Sequence, residues 1–232
     1  MVDEKFHFGR PIPQSVAIVA MGQSRIDYGT NSSWLGNYRE VADEIWVVNR
    51  MAAYIYNDIL FRMDDLSEER DDVPEPFKKT MKEHPLLVTS KAYPEYPGSV
   101  DYPLEEVVQS IGVPYLNTTP AYALAYAIHL GVKQIHVYGC DYTYPNQARA
   151  EKGRGCFEWL MGFAFAKGIE LMMGPNTSLM DTCIPPGEKF YGYKDFVRAD
   201  VIDGEWKILI DPTQQNAASF EKGVGQEVLN DN

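Results

Sequence analysis

Three cysteines in 232 residues, Cys140, Cys156 and Cys183, are too few and too far apart for a disulfide scaffold or a zinc finger. The count is odd and no C-x-x-C occurs, so reduced thiols in a cytoplasmic protein are the expected state. The Asn-x-Ser/Thr matches at Asn31, Asn117 and Asn176 are then chance. No apolar run approaches the ~18 residues that a membrane span needs. Met1 to Phe8 is short and charged, without the apolar core and small-residue cleavage site of a secretory leader. Basic residues are the minority, 21 against 33 acidic ones, for a formal net charge of -12. Such a chain repels a phosphate backbone and shows no Lys/Arg cluster, so general nucleic-acid binding is not expected. Histidine is scarce too. His7 and His84 lie in uninformative flanks, and His129 in a helix and His136 in a strand read as structural.

What is present is alternation. Ser15 to Met21 (SVAIVAM), Glu44 to Asn49 (EIWVVN), Ile59 to Met63 (ILFRM), Pro85 to Ser90 (PLLVTS), Gln134 to Tyr138 (QIHVY) and Ile169 to Met173 read as short buried strands. Between them a loop over 25–33 leads to a short helix capped by Ser33. Residues 50–57 look helical, residues 91–103, with three prolines, read as an extended surface loop, and 104–110 form a turn or two of helix. Thr119 as N-cap, Pro120 at the first helical position and Gly131 as the stop define a helix over 120–130. Glu151 to Lys167 is a second long helix, with Phe157, Leu160, Met161, Ala164 and Phe165 spaced for one buried face. From Ile184 onward the pattern changes, and Phe190 to Val201 and Glu205 to Ile210 read as a β-rich or mixed appendage with a turn at Asp203-Gly204.

Strand–helix alternation of this kind predicts an α/β fold, a doubly wound and mostly parallel sheet with a small C-terminal β-rich appendage. Its domain would span 1–183, the appendage packed on it 184–212, and a flexible tail 213–232. In such sheets ligands bind beyond the carboxyl ends of the strands, which singles out polar residues there. Gly22, Gln23 and Ser24 form a turn whose backbone could approach a phosphate, or simply a tight exit from a core strand. Asn49 could read a base edge or a ribose hydroxyl, or cap the next helix. Asp64 and Asp65 could hold Mg²⁺ or ribose hydroxyls, or stand as solvated charges ahead of the acidic residues Glu68, Glu69, Asp71 and Asp72. Thr118 and Thr119 open the best helix, whose N-terminus offers free N–H groups. Gly139, Cys140, Asp141 and Tyr142 end the fifth strand, with Tyr144 behind. Asp141 is a candidate base or ligand, and Cys140 reads as a buried, inert thiol.

One stretch carries a resemblance. Residues 115–144, YLNTTPAYALAYAIHLGVKQIHVYGCDYTY, are similar to the segment of glycosyltransferase family 42, the bacterial sialyltransferases. In that family a T-S-G turn opens a helix, followed by A-x-x-L-G-x-K-x-I-x-L and a G-x-D-F/Y strand end. The stretch also resembles a related uncharacterised-domain family that includes motility-associated glycosyltransferases and archaeal pterin diphosphokinases. Those families open on a strand and G-x-G-P-S, matched here by Ala20-Met21-Gly22-Gln23-Ser24, and carry an Asn at the second strand end, here Asn49.

The resemblance implies a Rossmann-like nucleotide-binding fold. Carried over, it points to Gly22, Ser24, Asn49, Thr118, Thr119 and Asp141 at the donor nucleotide, with Tyr142 or Tyr144 near the leaving phosphate. Taken with the strand-end reading, the expected nucleotide-binding residues are Gly22, Gln23, Ser24, Asn49, Asp64, Thr118, Thr119, Gly139 and Tyr142, the expected catalytic residues are Asp141 and Tyr144, and the donor is CMP- or UDP-linked. The sialyltransferases place a His base in a lid after the G-x-D-Y strand; residues 143–200 hold no His, so Asp141 or Glu158 would replace it. Residues 143–155, with Arg149, Lys152 and Arg154, would form a lid over the donor phosphates. The expected activity is transfer of a sugar to an acceptor hydroxyl. The alternatives are a Mg²⁺/ATP-dependent diphosphokinase and a non-catalytic nucleotide- or partner-binding protein. No protein metal site is expected, and the sequence leaves a homo-oligomer open.

Overall fold

The computed structural model describes residues 6–67, 73–181 and 195–215. By its contacts the chain divides into two compact units, Met1–Met180 and Asp181–Asn232. In the first, β1 (Phe6–His7) and β2 (Arg10–Pro11) form a small antiparallel pair. The strands β3 (Ser15–Val19), β4 (Glu44–Val48), β5 (Ile59–Phe61), β6 (Leu87–Thr89), β7 (Ser99–Asp101), β8 (Gln134–Tyr138) and β9 (Glu170–Met173) build one sheet. Its order is β7-β6-β5-β4-β3-β8-β9, and every pairing is parallel. The fold is α/β and Rossmann-like. The chain steps outward from β3 to β7, then returns to lay β8 on the other side of β3, and the strand order reverses between those two.

Among the described residues five helices cover the sheet: α1 (Arg25–Leu35), α2 (Glu75–Glu83), α3 (Leu104–Ile111), α4 (Thr119–Leu130) and α5 (Gln147–Ala166). Alternate residues of each strand enter opposite cores, as a pleated strand requires. Val16, Ile18, Trp46, Val48 and Phe61 join Leu124, Phe157 and Leu160 of α4 and α5. Ala17, Val19, Ile45, Val47 and Leu60 join Tyr28, Phe77 and Met81 of α1 and α2. Both faces of β3 to β6 are therefore dry, which is why those strands read as unbroken apolar runs, whereas β9, expected as a buried strand, exposes Glu170 and Met172.

The amino ends of β4 and β5 carry a separate polar cluster. The Arg39 guanidinium donates to both oxygens of Asp58, at 2.9 and 2.7 Å, and the Ile45 N–H donates to Asp58 Oδ2 at 2.8 Å. Arg10 bridges Asp58 and Glu44. Burial alone would raise the Asp58 pKa; the hydrogen bonds from Arg39 and Ile45 and the charges of Arg39 and Arg10 outweigh it and hold the carboxyl below its ordinary value.

Several elements differ from the expectations above. Residues 25–33, expected as a loop, lie in α1, which ends at Gly36 with φ +74°. Gly29, Asn31 and Ser32 are poor helix formers, but Tyr28 is buried against β8 and Asn31 Nδ2 donates to the Tyr138 hydroxyl, so tertiary contacts override propensity. The proline- and tyrosine-rich stretch 91–103 contains β7, a three-residue edge strand that fits between Pro97 and Pro103 and pairs with β6. Residues 50–57 hold only a short 3-10 turn, Asn49–Ala53. Phe165 is 74% exposed and does not share the buried face of α5.

The second unit shows one antiparallel hairpin, β10 (Asp195–Ile202) and β11 (Glu205–Gln215). The turn at Asp203 and Gly204 has φ of +56° and +79°, the positive values that a two-residue hairpin turn needs. β11 continues to Gln215, into the stretch expected as tail. The expected tail beyond 215, Cys183, Glu68, Glu69, Asp71 and Asp72 lie outside the described residues.

Candidate functional site

At the carboxyl ends of β4, β5 and β8 lies a cleft of about 700 Å³. Of the residues singled out from sequence, Asn49, Asp64, Thr118, Thr119 and Tyr144 line it; Gly22, Gln23, Ser24, Gly139, Asp141 and Tyr142 do not. Sequence reasoning missed Arg50, Arg62 and Tyr122, which also line it, whereas Arg149 and Lys152 were anticipated.

The residues outside the cleft have other partners. At the strand-order reversal the ends of β3 and β8 press together. The Ala20 N–H donates to the Tyr138 carbonyl at 2.9 Å and the Gly22 N–H to the Gly139 carbonyl at 2.7 Å. A Cβ on Gly22 would stand 2.5 Å from that carbonyl oxygen and 2.5 Å from Asp141 Oδ2. The close approach that requires glycine at position 22 is thus backbone against backbone. The Asp141 carboxylate is buried and accepts three hydrogen bonds: from the Ser24 N–H (2.7 Å), the Ser24 hydroxyl (2.5 Å) and the Thr177 hydroxyl (2.9 Å). The Gly139 N–H closes the circuit onto Ser24 Oγ at 2.8 Å. The loop after β9 is fastened at the same place, with the Ser178 hydroxyl donating to the Asp141 carbonyl and Asn176 donating to Asp27. Cys140 is buried, which pushes its thiol pKa up, and Cys156 is buried as well.

Tyr142 supports the cleft from behind. It is a buried tyrosine at φ +53°, a conformation that costs on the order of 1–3 kcal/mol for a bulky residue. Its hydroxyl lies 2.9 Å from Thr118 Oγ1. A Cβ on Gly153 of α5 would stand 2.5 Å from Cε1 of its ring. The N-cap of α4 is Thr118, one residue earlier than expected, and its side chain makes no cap hydrogen bond because it is turned to Tyr142. The helix therefore opens into the cleft with its first turn uncapped by a side chain.

The cleft walls are cationic. Arg50 and Arg62 come from the ends of β4 and β5, and Arg149 and Lys152 from the first turns of α5. Asp64 stands among them with Oδ2 3.3 Å from Arg62 Nη2. The expected lid over 143–155 is helical from Gln147, with Asn146 as N-cap accepting from the Arg149 N–H. Arg154 is turned elsewhere, to Glu158 (2.8 Å) and the Ser178 carbonyl (2.7 Å). Arg149 lies over the Tyr144 ring, 5.8 Å from its centroid. Burial raises the Tyr144 pKa, so its hydroxyl stays a donor at neutral pH.

Asn49 adds a polar atom without a match. It sits at φ +54°, and its Oδ1 is shielded from solvent with no hydrogen-bond partner among the described residues. Asn tolerates the left-handed region better than most residues. The two aspartates at the end of β5 part ways. Asp64 faces the cleft, while Asp65 accepts from the Ser67 N–H and hydroxyl and from the Tyr93 hydroxyl. Among the described residues no three His, Cys, Asp or Glu side chains gather as metal ligands, and no helix is long and apolar enough to cross a membrane.

No family model matches the chain, and no curated protein matches it. Two solved structures of the sialyltransferase CstII from Campylobacter jejuni are similar to it. The first, in complex with the substrate analogue CMP-3FNeuAc, is 17% identical with a TM-score of 0.48, covering 72% of this chain and 83% of that one. The second, with cytidine-5'-monophosphate, is 17% identical with a TM-score of 0.44, covering 73% and 83%.

Proposed function

We propose that this chain is a glycosyltransferase-like enzyme that holds a nucleotide-sugar donor in the cleft and passes the sugar to an acceptor hydroxyl. The observation that carries this reading is the convergence of the side-chain-uncapped α4 N-terminus with Arg50, Arg62, Arg149 and Lys152 in one cleft. The chain as a whole has a net charge of -12, so this local excess of cations is placed against the general field. Backbone N–H groups at a helix start and surrounding guanidinium groups are the chemistry that binds a phosphate. Asn49 Oδ1 supplies an acceptor for a ribose hydroxyl or a base amine, and Tyr122 and Tyr144 supply aromatic surface. The step from a nucleotide to a nucleotide sugar rests on the resemblance of residues 115–144.

In the transfer, negative charge develops on the departing phosphate. The cations and the Tyr144 hydroxyl would stabilise it there. Gly22, Ser24, Gly139, Asp141 and Tyr142 act in this proposal as the frame that sets α4 and the strand ends.

The test is thermal stability with CMP, UDP, GDP, ADP and ATP, each with and without Mg²⁺. A bound nucleotide at a hundred times its Kd adds about 2.7 kcal/mol. Stabilisation by one base names the donor class; stabilisation by none sinks the reading.

A further inference from the structure

Moving a sugar onto a hydroxyl requires a group that takes the hydroxyl proton, and the histidines of this chain are engaged elsewhere. His7 lies 3.4 Å from Glu44, His84 is bonded to Asn57, His129 to Ser110 and His136 to Gln134, and none lines the cleft. The two carboxylates that sequence reasoning offered are occupied as well. Asp141 is enclosed by Ser24 and Thr177, and Glu158 Oε1 accepts from Arg154 and from the Met180 N–H.

Among the described residues, Asp64 is the one carboxylate that lines the cleft, and its side chain is 41% exposed. Arg62 Nη2 lies 3.3 Å from its Oδ2, which orients the group. We propose that Asp64 is the general base of the transfer, an inference that rests on the nucleotide-sugar reading of the cleft. An Asp64 oxygen accepts the proton of the acceptor hydroxyl. The acceptor oxygen forms a bond to the anomeric carbon as the bond from that carbon to the donor phosphate oxygen breaks. The electron pair of the broken bond leaves with the nucleotide, so the products are a glycoside, the free nucleotide and a proton on Asp64 that passes to water. A single displacement of this kind inverts the anomeric centre.

The experiment uses the full chain with CMP- and UDP-linked sugars, with water or methyl β-galactoside as acceptor. It follows nucleotide release and, by calorimetry, binding of free CMP and UDP. Asp64→Asn and Asp64→Ala are expected to bind nucleotide within about threefold of wild type and to release it 100-fold or more slowly, the usual scale of general-base loss. Formate, a small carboxylate that can enter the space left in Asp64→Ala, is expected to restore at least tenfold of the rate, and the product to be inverted. Turnover within fivefold of wild type in both variants overturns the inference while leaving the nucleotide-sugar reading standing. So does a rate loss that only follows a loss of nucleotide affinity, which would make Asp64 a donor ligand. A retained anomeric configuration also overturns it. A wild-type chain that neither binds these nucleotides nor turns over these sugars removes the reading of the cleft itself, and the role of Asp64 with it.

Discussion

The Ser24 hydroxyl and the Asp141 carboxylate, 117 residues apart in sequence, meet at 2.5 Å beneath the strand-order reversal. That contact ties the turn after the first strand of the sheet to the end of its central neighbour. Asp141→Ala would leave the Ser24 N–H and the hydroxyls of Ser24 and Thr177 buried without their acceptor. Hydrogen bonds to a charged group contribute about 1.5–3 kcal/mol each in context, and breaking such a network costs about 3–5 kcal/mol. The expected outcome is a urea midpoint lowered accordingly, with Ser24→Ala lowering it by less.

Two glycines of α5 should respond in opposite directions. Gly153→Ala places a methyl 2.5 Å from the ring of Tyr142, which is buried and held by Thr118. Overpacking of this kind costs about 1–3 kcal/mol. Gly162 has open space around its Cβ position and lies mid-helix on an exposed face. Gly162→Ala should stabilise by up to about 1 kcal/mol. Thermal melts of both variants check the pair, and destabilisation by Gly162→Ala would count against the described helix packing.

Much of this frame was legible in the sequence, and the reasons for the rest are specific. Gln134–Tyr138 was read to the residue because a β-branched run bounded by glycines has few other readings. The hairpin turn at Asp203-Gly204 was legible for a similar reason, since that pair favours positive φ. The first helix was missed because its residues carry loop chemistry and its stability comes from Tyr28 and Asn31 touching β8. The polar strand ends were all visible, yet sequence gave no means of sorting those that face the cleft from those that face each other. Asp141 and Asp64 look equivalent as letters. One is buried under three hydrogen bonds and the other opens to the cleft. Arg50 and Arg62 were overlooked because an isolated arginine at a strand exit has no pattern to mark it.

The cationic cleft should announce itself through salt. Lys152→Ala and Arg149→Ala are each expected to weaken nucleotide binding about tenfold, the effect of losing one charge-assisted contact to phosphate. Binding to wild type should weaken as ionic strength rises, and less steeply in either variant. Calorimetric titrations at two salt concentrations measure both. Affinity that ignores salt would place the phosphate elsewhere.

The acid limit of stability should trace partly to Asp58. Its folded pKa is depressed, so its contribution is present above the unfolded value near 4 and is lost as pH falls through the lower folded value. Asp58→Asn is expected to be less stable than wild type at pH 7, because Arg39 and Arg10 lose their charged partner. It should also lose less of its remaining stability between about pH 5 and pH 2. Urea midpoints across that range provide the comparison, and parallel curves would refute the assignment.

The position of β3 in the sheet has a consequence for how the chain reaches its structure. β4 follows β3 closely in sequence, but Ser15 pairs on its other side with Gln134, more than a hundred residues further along. During synthesis one edge of a strand made of Val16, Ala17, Ile18 and Val19 must wait, unpaired, until over half of the chain has emerged. Non-local pairing of this kind slows folding, and an open apolar edge invites pairing with another chain. The arrival of β8 closes that apolar edge and moves the edge of the sheet outward to the half-exposed β9.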